Sequence, residues 1–102
     1  MHRFASLLSV TLAVTFPLGA SAADAGKGET LAKRWCAACH VVALDQQRGT
    51  IQAPPFSTIA NKSDFNETTL AYFLLTPHPQ MPDMSLTRSE AADLAAYIKT
   101  QK

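Results

Sequence analysis

The stretch WCAACH, residues 35–40, decides the fold: two cysteines stand three positions apart and a histidine follows the second. Cys36 and Cys39 are the only cysteines in the 102-residue chain. On a helical turn, residues at positions i, i+3 and i+4 share a face, so both thiols and the His40 imidazole can point at one object. Such a cluster suits a covalent, metal or redox site, and the rest of the sequence has to decide between them.

The first 22 residues have the organisation of an export signal. A short basic start that includes Arg3 precedes the apolar run FASLLSVTLAVTF at residues 4–16, which is too short to span a bilayer comfortably. Ala20-Ser21-Ala22 supplies the small residues that a signal peptidase reads. We expect cleavage of residues 1–22, export to the periplasm and one mature domain at residues 23–102. An uncleaved membrane anchor is the alternative.

Charge and size narrow the function of this domain. The chain has nine Lys or Arg and eight Asp or Glu residues, and loss of Arg3 with the signal would bring the formal charge to zero. No basic run is present that would bind nucleic acid. So small a domain needs a disulfide, a metal or another staple to complete its core. Export exposes thiols to oxidation, so both cysteines should be bonded to something.

The apolar pattern predicts an all-α domain of three main helices with long loops between them. A loop at residues 41–65 contains Gly49 and the pair Pro54-Pro55, with a helical turn expected near residues 56–60. Loops of this length usually wrap something. The predicted helices cover residues 25–39 after the N-cap Asp24, residues 67–76 after Asn66, and a third segment from the capping box Thr87–Glu90 to about residue 101.

In this setting the cluster favours covalent haem attachment. The two thiols would form thioethers with the haem vinyl groups while the neighbouring imidazole ligates the iron. A thioredoxin-like redox pair would need a βαβ setting. A zinc site would need a fourth ligand, for which His78 is the candidate. A disulfide between Cys36 and Cys39 would leave the core too small.

Three separated signals make the chain resemble a class I c-type cytochrome of the small bacterial periplasmic kind. They are CAACH at residues 36–40, a proline after a loop, and HPQMPDMSLT at residues 78–87 leading into SEAADLAAYI at residues 89–98. The resemblance covers essentially the whole mature chain. It implies the cytochrome c fold, with helices and loops wrapped around one covalently attached haem c.

The resemblance also implies the ligands of the haem iron. His40 corresponds to the proximal ligand and Met81 to the distal one, while Met84 and His78 remain as alternatives. Pro54 corresponds to the proline whose carbonyl accepts a hydrogen bond from the haem histidine, although Pro55 could serve as well. The candidate cofactor-binding residues are Cys36, Cys39, His40, Met81 and Pro54.

Packing around the haem is implied in the same way. Gly28 corresponds to the small residue where the first and last helices cross, with Tyr97 as its aromatic partner. Ala32 departs from the family pattern, which often has an aromatic residue there. The aliphatic and aromatic residues expected to line the haem pocket are Phe56, Ile59, Leu70, Phe73, Leu74, Leu94 and Ile98.

With His40 and Met81 on the iron, the resemblance implies a monomeric shuttle for single electrons between redox protein partners, rather than an enzyme. No nucleic acid and no lasting membrane anchor are expected. Two alternatives are open: a haem c subunit of a periplasmic oxidoreductase complex, and a five-coordinate haem sensor or enzyme.

Overall fold

The computed structural model describes residues 8–15, 22–76 and 80–102. These residues form four helices and no strand, so the all-α prediction is confirmed. The helical turn expected in the long loop is the short second helix. In chain order the helices are α1 (Ala25–Trp35), α2 (Phe56–Ala60), α3 (Glu67–Leu75) and α4 (Arg88–Lys99).

The three predicted helix starts are confirmed by their side-chain caps. In each case a side-chain oxygen accepts a hydrogen bond from a backbone N–H that has no partner within the helix. In α4 the bond is reciprocal, because the Glu90 carboxylate accepts from the Thr87 N–H at 3.0 Å. The caps are Asp24 to the Lys27 N–H at 3.0 Å, Asn66 to the Thr69 N–H at 2.8 Å, and Thr87 to the Glu90 N–H at 3.1 Å.

Helix α1 ends at Trp35 rather than at Cys39, which corrects the prediction. The Ala32 carbonyl accepts from the N–H groups of both Cys36, at 2.9 Å, and Ala37, at 3.1 Å. The second bond spans five residues and interrupts the helical ladder, as is usual at a helix C-terminus. The cysteine cluster therefore lies in the turn that follows α1.

Helices α1 and α4 cross in close contact at Gly28, as expected. A Cβ atom on Gly28 would clash with the carbonyl oxygen of Asp93 and lie 2.6 Å from the carbonyl carbon of that residue and 2.8 Å from Tyr97 Cβ. Ala32, one turn further along α1, is fully buried. Two small residues thus let the helices approach where the family often uses an aromatic side chain.

The buried core draws on α1, α2, α4 and the loop after His40, and α3 contributes no buried residue. Among the predicted pocket residues, Ile59, Leu70 and Leu74 are half-buried and Phe73 is 45% exposed. The polypeptide therefore leaves the apolar side of α3 incompletely covered. The core cluster consists of Ala32, Cys36, Val42, Phe56, Ala60, Leu94, Tyr97 and Ile98.

The predicted signal falls partly outside the described residues, which begin at residue 8 and omit residues 16–21. Residues 8–15 form no helix or strand, and their apolar side chains are exposed, as at Leu8 and Leu12. In the described part of the chain, every helix is too short or too polar to cross a bilayer.

Candidate functional site

The candidate site begins in the turn at residues 36–40. The Cys36 carbonyl accepts from the N–H groups of Cys39, at 3.1 Å, and His40, at 2.8 Å, so the three residues form one compact turn. Cys36 is 5% exposed, while Cys39 is exposed and His40 is half-buried. The turn therefore presents one sulfur to the core and one to the surface.

Burial governs the chemistry of the first thiol. Desolvation, with a smaller contribution from the charge of Cys39, raises the pKa of Cys36 to about 11. Before haem is attached, the Cys36 thiol is therefore protonated at neutral pH. The described residues contain no strand, so they lack the βαβ setting that a thioredoxin-like redox pair needs.

The His40 ring is oriented by a second residue. Its Nδ1 lies 2.6 Å from the carbonyl oxygen of Pro54. Because a carbonyl can only accept, Nδ1 carries the proton and Nε2 keeps its lone pair. Phe56 packs against the imidazole with ring centroids 5.4 Å apart. The geometry leaves Nε2 as the nitrogen available to a metal, and it contains the hydrogen bond that the family resemblance implies for Pro54.

The loop after His40 is held by Gln46, which the sequence analysis did not single out. Its Nε2 donates towards the carbonyls of Ala37, at 3.0 Å, and of His40 and Arg48, both at 2.8 Å. Its Oε1 accepts from the Val42 N–H at 2.9 Å. Gln47 follows directly with the same side chain, so no local signal in the sequence could have selected Gln46.

Two further contacts fix the backbone beyond His40. The Phe56 N–H donates to the Val41 carbonyl at 2.9 Å, and the Tyr97 hydroxyl donates to the Val42 carbonyl at 2.6 Å. The rings of Phe56 and Tyr97 pack edge to face with centroids 6.3 Å apart. The start of α2 and the face of α4 thus both meet the segment that carries His40.

Met81 and Met84 follow α3 and differ in their surroundings. Both are half-buried, but Met84 packs against the hydrophobic core. Ser85 has a positive φ of 48° and donates its N–H to Asp83 Oδ1 at 3.0 Å, which closes a tight turn around Met84. The structure brings together Cys36, Cys39, His40 and Pro54. His78 lies outside the described residues, and the distal ligand stays a prediction.

The residues present fit a covalently held haem. Two sulfurs and an imidazole with a free Nε2 lie within five positions, on a turn packed against the core. Trp35, next to this turn, is 37% exposed, and the Arg34 guanidinium lies over its ring, 5.1 Å from the ring centroid. The uncovered apolar side of α3 would supply a wall for a large flat apolar group. Among the described residues, no group of three or more His, Cys, Asp or Glu side chains is arranged to hold a bare metal ion.

Comparison with known proteins agrees with this fit. The family model of cytochrome c matches residues 25–102. Cytochrome c-552 of Bradyrhizobium diazoefficiens is 50% identical over 99 residues, which cover 96% of this chain and 95% of that protein. No solved structure matches the chain significantly. The chain therefore belongs to the cytochrome c family and has covalently attached haem c, with its iron, as its cofactor.

Proposed function

We propose that the chain is a periplasmic electron carrier in which Cys36 and Cys39 hold one haem and His40 and Met81 ligate its iron. The observation that carries the proposal is the 2.6 Å hydrogen bond from His40 Nδ1 to the Pro54 carbonyl. This bond fixes the tautomer and orientation that a proximal ligand needs and makes the imidazole a better donor. Its support is independent of the spacing of the cysteines.

The bound haem supplies the exchange of one electron between ferrous and ferric iron. The chain's part would be to hold the iron through His40 and Met81 and to exclude water. Met81 offers a neutral, soft thioether that favours the ferrous state, so His/Met ligation raises the reduction potential. With both His40 and Met81 on the iron, no position would be left for a substrate, which is why we propose a carrier rather than an enzyme.

Met81 is preferred to Met84 because of the core packing of Met84 and the proline that follows Met81. Met84 already packs against the hydrophobic core, which gives its side chain a structural role. Met81 precedes Pro82, which disfavours helical backbone at Met81 and keeps the ligand loop extended. Met81 also follows His40 by enough chain to pass around a haem and return on its other face.

Export of residues 23–102 is the second part of the proposal. The family match begins at residue 25, close to the expected cleavage before Ala23. The apolar side chains of residues 8–15 are exposed and take no part in the core cluster. A targeting signal is expected to be an apolar segment of this kind, which the mature domain does not bury.

Covalent attachment and ligation are tested together in periplasmic extract. Haem should stay with a band of mature size through denaturing electrophoresis, with stain lost in a Cys36→Ala, Cys39→Ala double variant. The reduced protein should not bind carbon monoxide rapidly, because both axial positions are occupied. An exported band without haem stain would contradict thioether attachment, and rapid carbon monoxide binding would contradict His/Met ligation and favour the five-coordinate sensor or enzyme.

A further inference from the structure

The carboxamide of Gln46 lies at the centre of the backbone that carries His40. It contacts Ala37 before His40, the His40 carbonyl itself, Val42 beyond it and Arg48 on the returning loop, at 2.8–3.0 Å. An amide offers two N–H donors and one carbonyl acceptor, and here both kinds of group are used. The side chain thus binds the backbone on both sides of His40.

Neighbouring contacts bring the same loop close to the turn. The Thr50 N–H donates to the Cys39 carbonyl at 2.7 Å. A Cβ atom on Gly49 would lie 2.6 Å from that carbonyl oxygen and 3.2 Å from the His40 carbonyl carbon, so only glycine fits there. Five residues after Gly49 the loop supplies the Pro54 carbonyl for the His40 ring. Gln46 therefore anchors the start of the loop whose end orients the imidazole.

We propose that Gln46 is a positioning residue for the haem ligand His40. It holds the turn and the loop at a fixed separation, and this separation keeps His40 Nδ1–H aligned with the Pro54 carbonyl. The inference rests on the proposed function, in which the His40 Nε2 ligates the iron. No contact between Gln46 and the haem is required, because the effect passes through the backbone of residues 37–42.

A positioning role and general stabilisation differ in which N–H groups exchange faster when Gln46 is replaced. If Gln46 only stabilised the fold, its removal would speed hydrogen exchange throughout the cooperative unit, including the core of α4. If it positions His40, the ring N–H should lose protection while α4 keeps its own. The two roles therefore separate in one measurement on the holoprotein.

The test is the exchange rate of the His40 Nδ1–H, measured by NMR in the reduced holoprotein and divided by that of the unchanged protein. A Gln46→Glu variant keeps the acceptor for the Val42 N–H but turns a carboxylate towards carbonyl oxygens. We expect exchange at least about tenfold faster at pH 7, as for the loss of one or two hydrogen bonds, and less than about twofold change in the α4 amides. A matched Gln47→Glu control should change the ring exchange less than about twofold.

A Gln46→Leu variant provides a second readout at pH 7. It removes both the donors and the acceptor of the carboxamide, so the exchange ratio of the His40 Nδ1–H should again rise at least about tenfold. This variant also provides the test if the Gln46→Glu chain fails to fold.

Equal acceleration at the His40 ring and in α4, or none at the ring in either Gln46 variant, would overturn the positioning role while leaving the proposed function intact. Absence of a haem-shifted His40 ring signal from the unchanged reduced protein would overturn the proposed function and this inference together.

Discussion

The hydroxyl of Tyr97 donates to the carbonyl of Val42 at 2.6 Å, a bond between residues 55 positions apart. Tyr97 is 6% exposed, and burial raises the pKa of its phenol, so the group remains a donor at neutral pH. The last helix is thereby joined to the backbone two residues after His40. Stability of the fold and geometry of the site are coupled at this one bond.

Replacement of Tyr97 by Phe should destabilise the holoprotein by about 1–3 kcal/mol, because the buried Val42 carbonyl would lose its donor. Urea unfolding followed at the haem absorbance measures the change. Tyr72→Phe is the matched control, since Tyr72 is 75% exposed and should change the free energy of unfolding by less than about 0.5 kcal/mol. Equal effects of the two variants would contradict the importance of the bond.

Gly28→Ala should destabilise the holoprotein by about 1–3 kcal/mol or more, because the new methyl group meets the backbone of Asp93 rather than a movable side chain. The helices α1 and α4 would have to separate. Gly26→Ala is the control on the same helix. Its methyl group would lie 3.2 Å from the movable Asp24 side chain, so a change below about 1 kcal/mol is expected in thermal unfolding. A tolerated Gly28→Ala would show that the crossing can open at little cost.

The Met81→Ala variant should lose the weak near-infrared sulfur-to-iron band of the ferric protein and show a lower reduction potential. A water or nitrogen ligand stabilises ferric iron better than a thioether does. Met84→Ala should keep the band but lose about 2–3 kcal/mol of stability, since its side chain packs on the core. Loss of the band in Met84→Ala, with retention in Met81→Ala, would reverse the ligand assignment.

The capping box of α4 should contribute to acid sensitivity. Hydrogen bonds from the backbone and side chain of Thr87 lower the pKa of Glu90 from its ordinary 4.5. A folded-state pKa below the unfolded value gives stability that is present above the unfolded pKa and is lost as the pH falls through the folded pKa. Glu90→Gln should therefore flatten the dependence of the urea midpoint on pH between about pH 5 and pH 3. An unchanged slope would show that the box does not bind the carboxylate preferentially.

Electron transfer to the natural redox partner should vary less than about tenfold between low and physiological salt. The proposed mature chain has a balanced charge, and two of its lysines are paired: Lys33 with Glu29 at 2.9 Å and Lys99 with Glu67 at 3.4 Å. Docking should then depend mainly on apolar contact near the haem edge. Stopped-flow rates across the salt range measure this, and a steep decline would reveal a local cluster of cations that dominates recognition.

Features written in neighbouring residues were predictable from the sequence. The caps Asp24 and Asn66, and the capping box at Thr87, depend on side chains within three positions of the groups they bind. The end of α1 was not predictable, because it depends on the Ala32 carbonyl accepting two N–H groups. The same holds for the haem turn at residues 36–40, because the spacing of Cys36, Cys39 and His40 can be read from neighbouring residues.

The side chains that hold the haem turn in place come from elsewhere in the chain, and no sequence pattern near the turn identifies them. Gln46 and Gln47 are identical in type, and only the folded loop brings the first against the backbone of residues 37–42. The sequence suggests that Asp93 is an exposed polar residue on a helix. In the structure it is only 7% exposed, and its carboxylate accepts a hydrogen bond from the Asp24 N–H at 2.7 Å. Such contacts between distant residues can be identified only once the fold is known.

Helix α3, which the polypeptide alone does not bury, has a consequence for the lifetime of the protein. Because α3 contributes no buried residue to the polypeptide core, we expect this segment to open at a lower free energy than α1 or α4 until haem is attached. A protease therefore meets a cleavable segment in the unfinished chain and a closed one in the finished molecule. We therefore expect proteolysis to remove chains without haem faster than chains with haem, without any dedicated recognition signal.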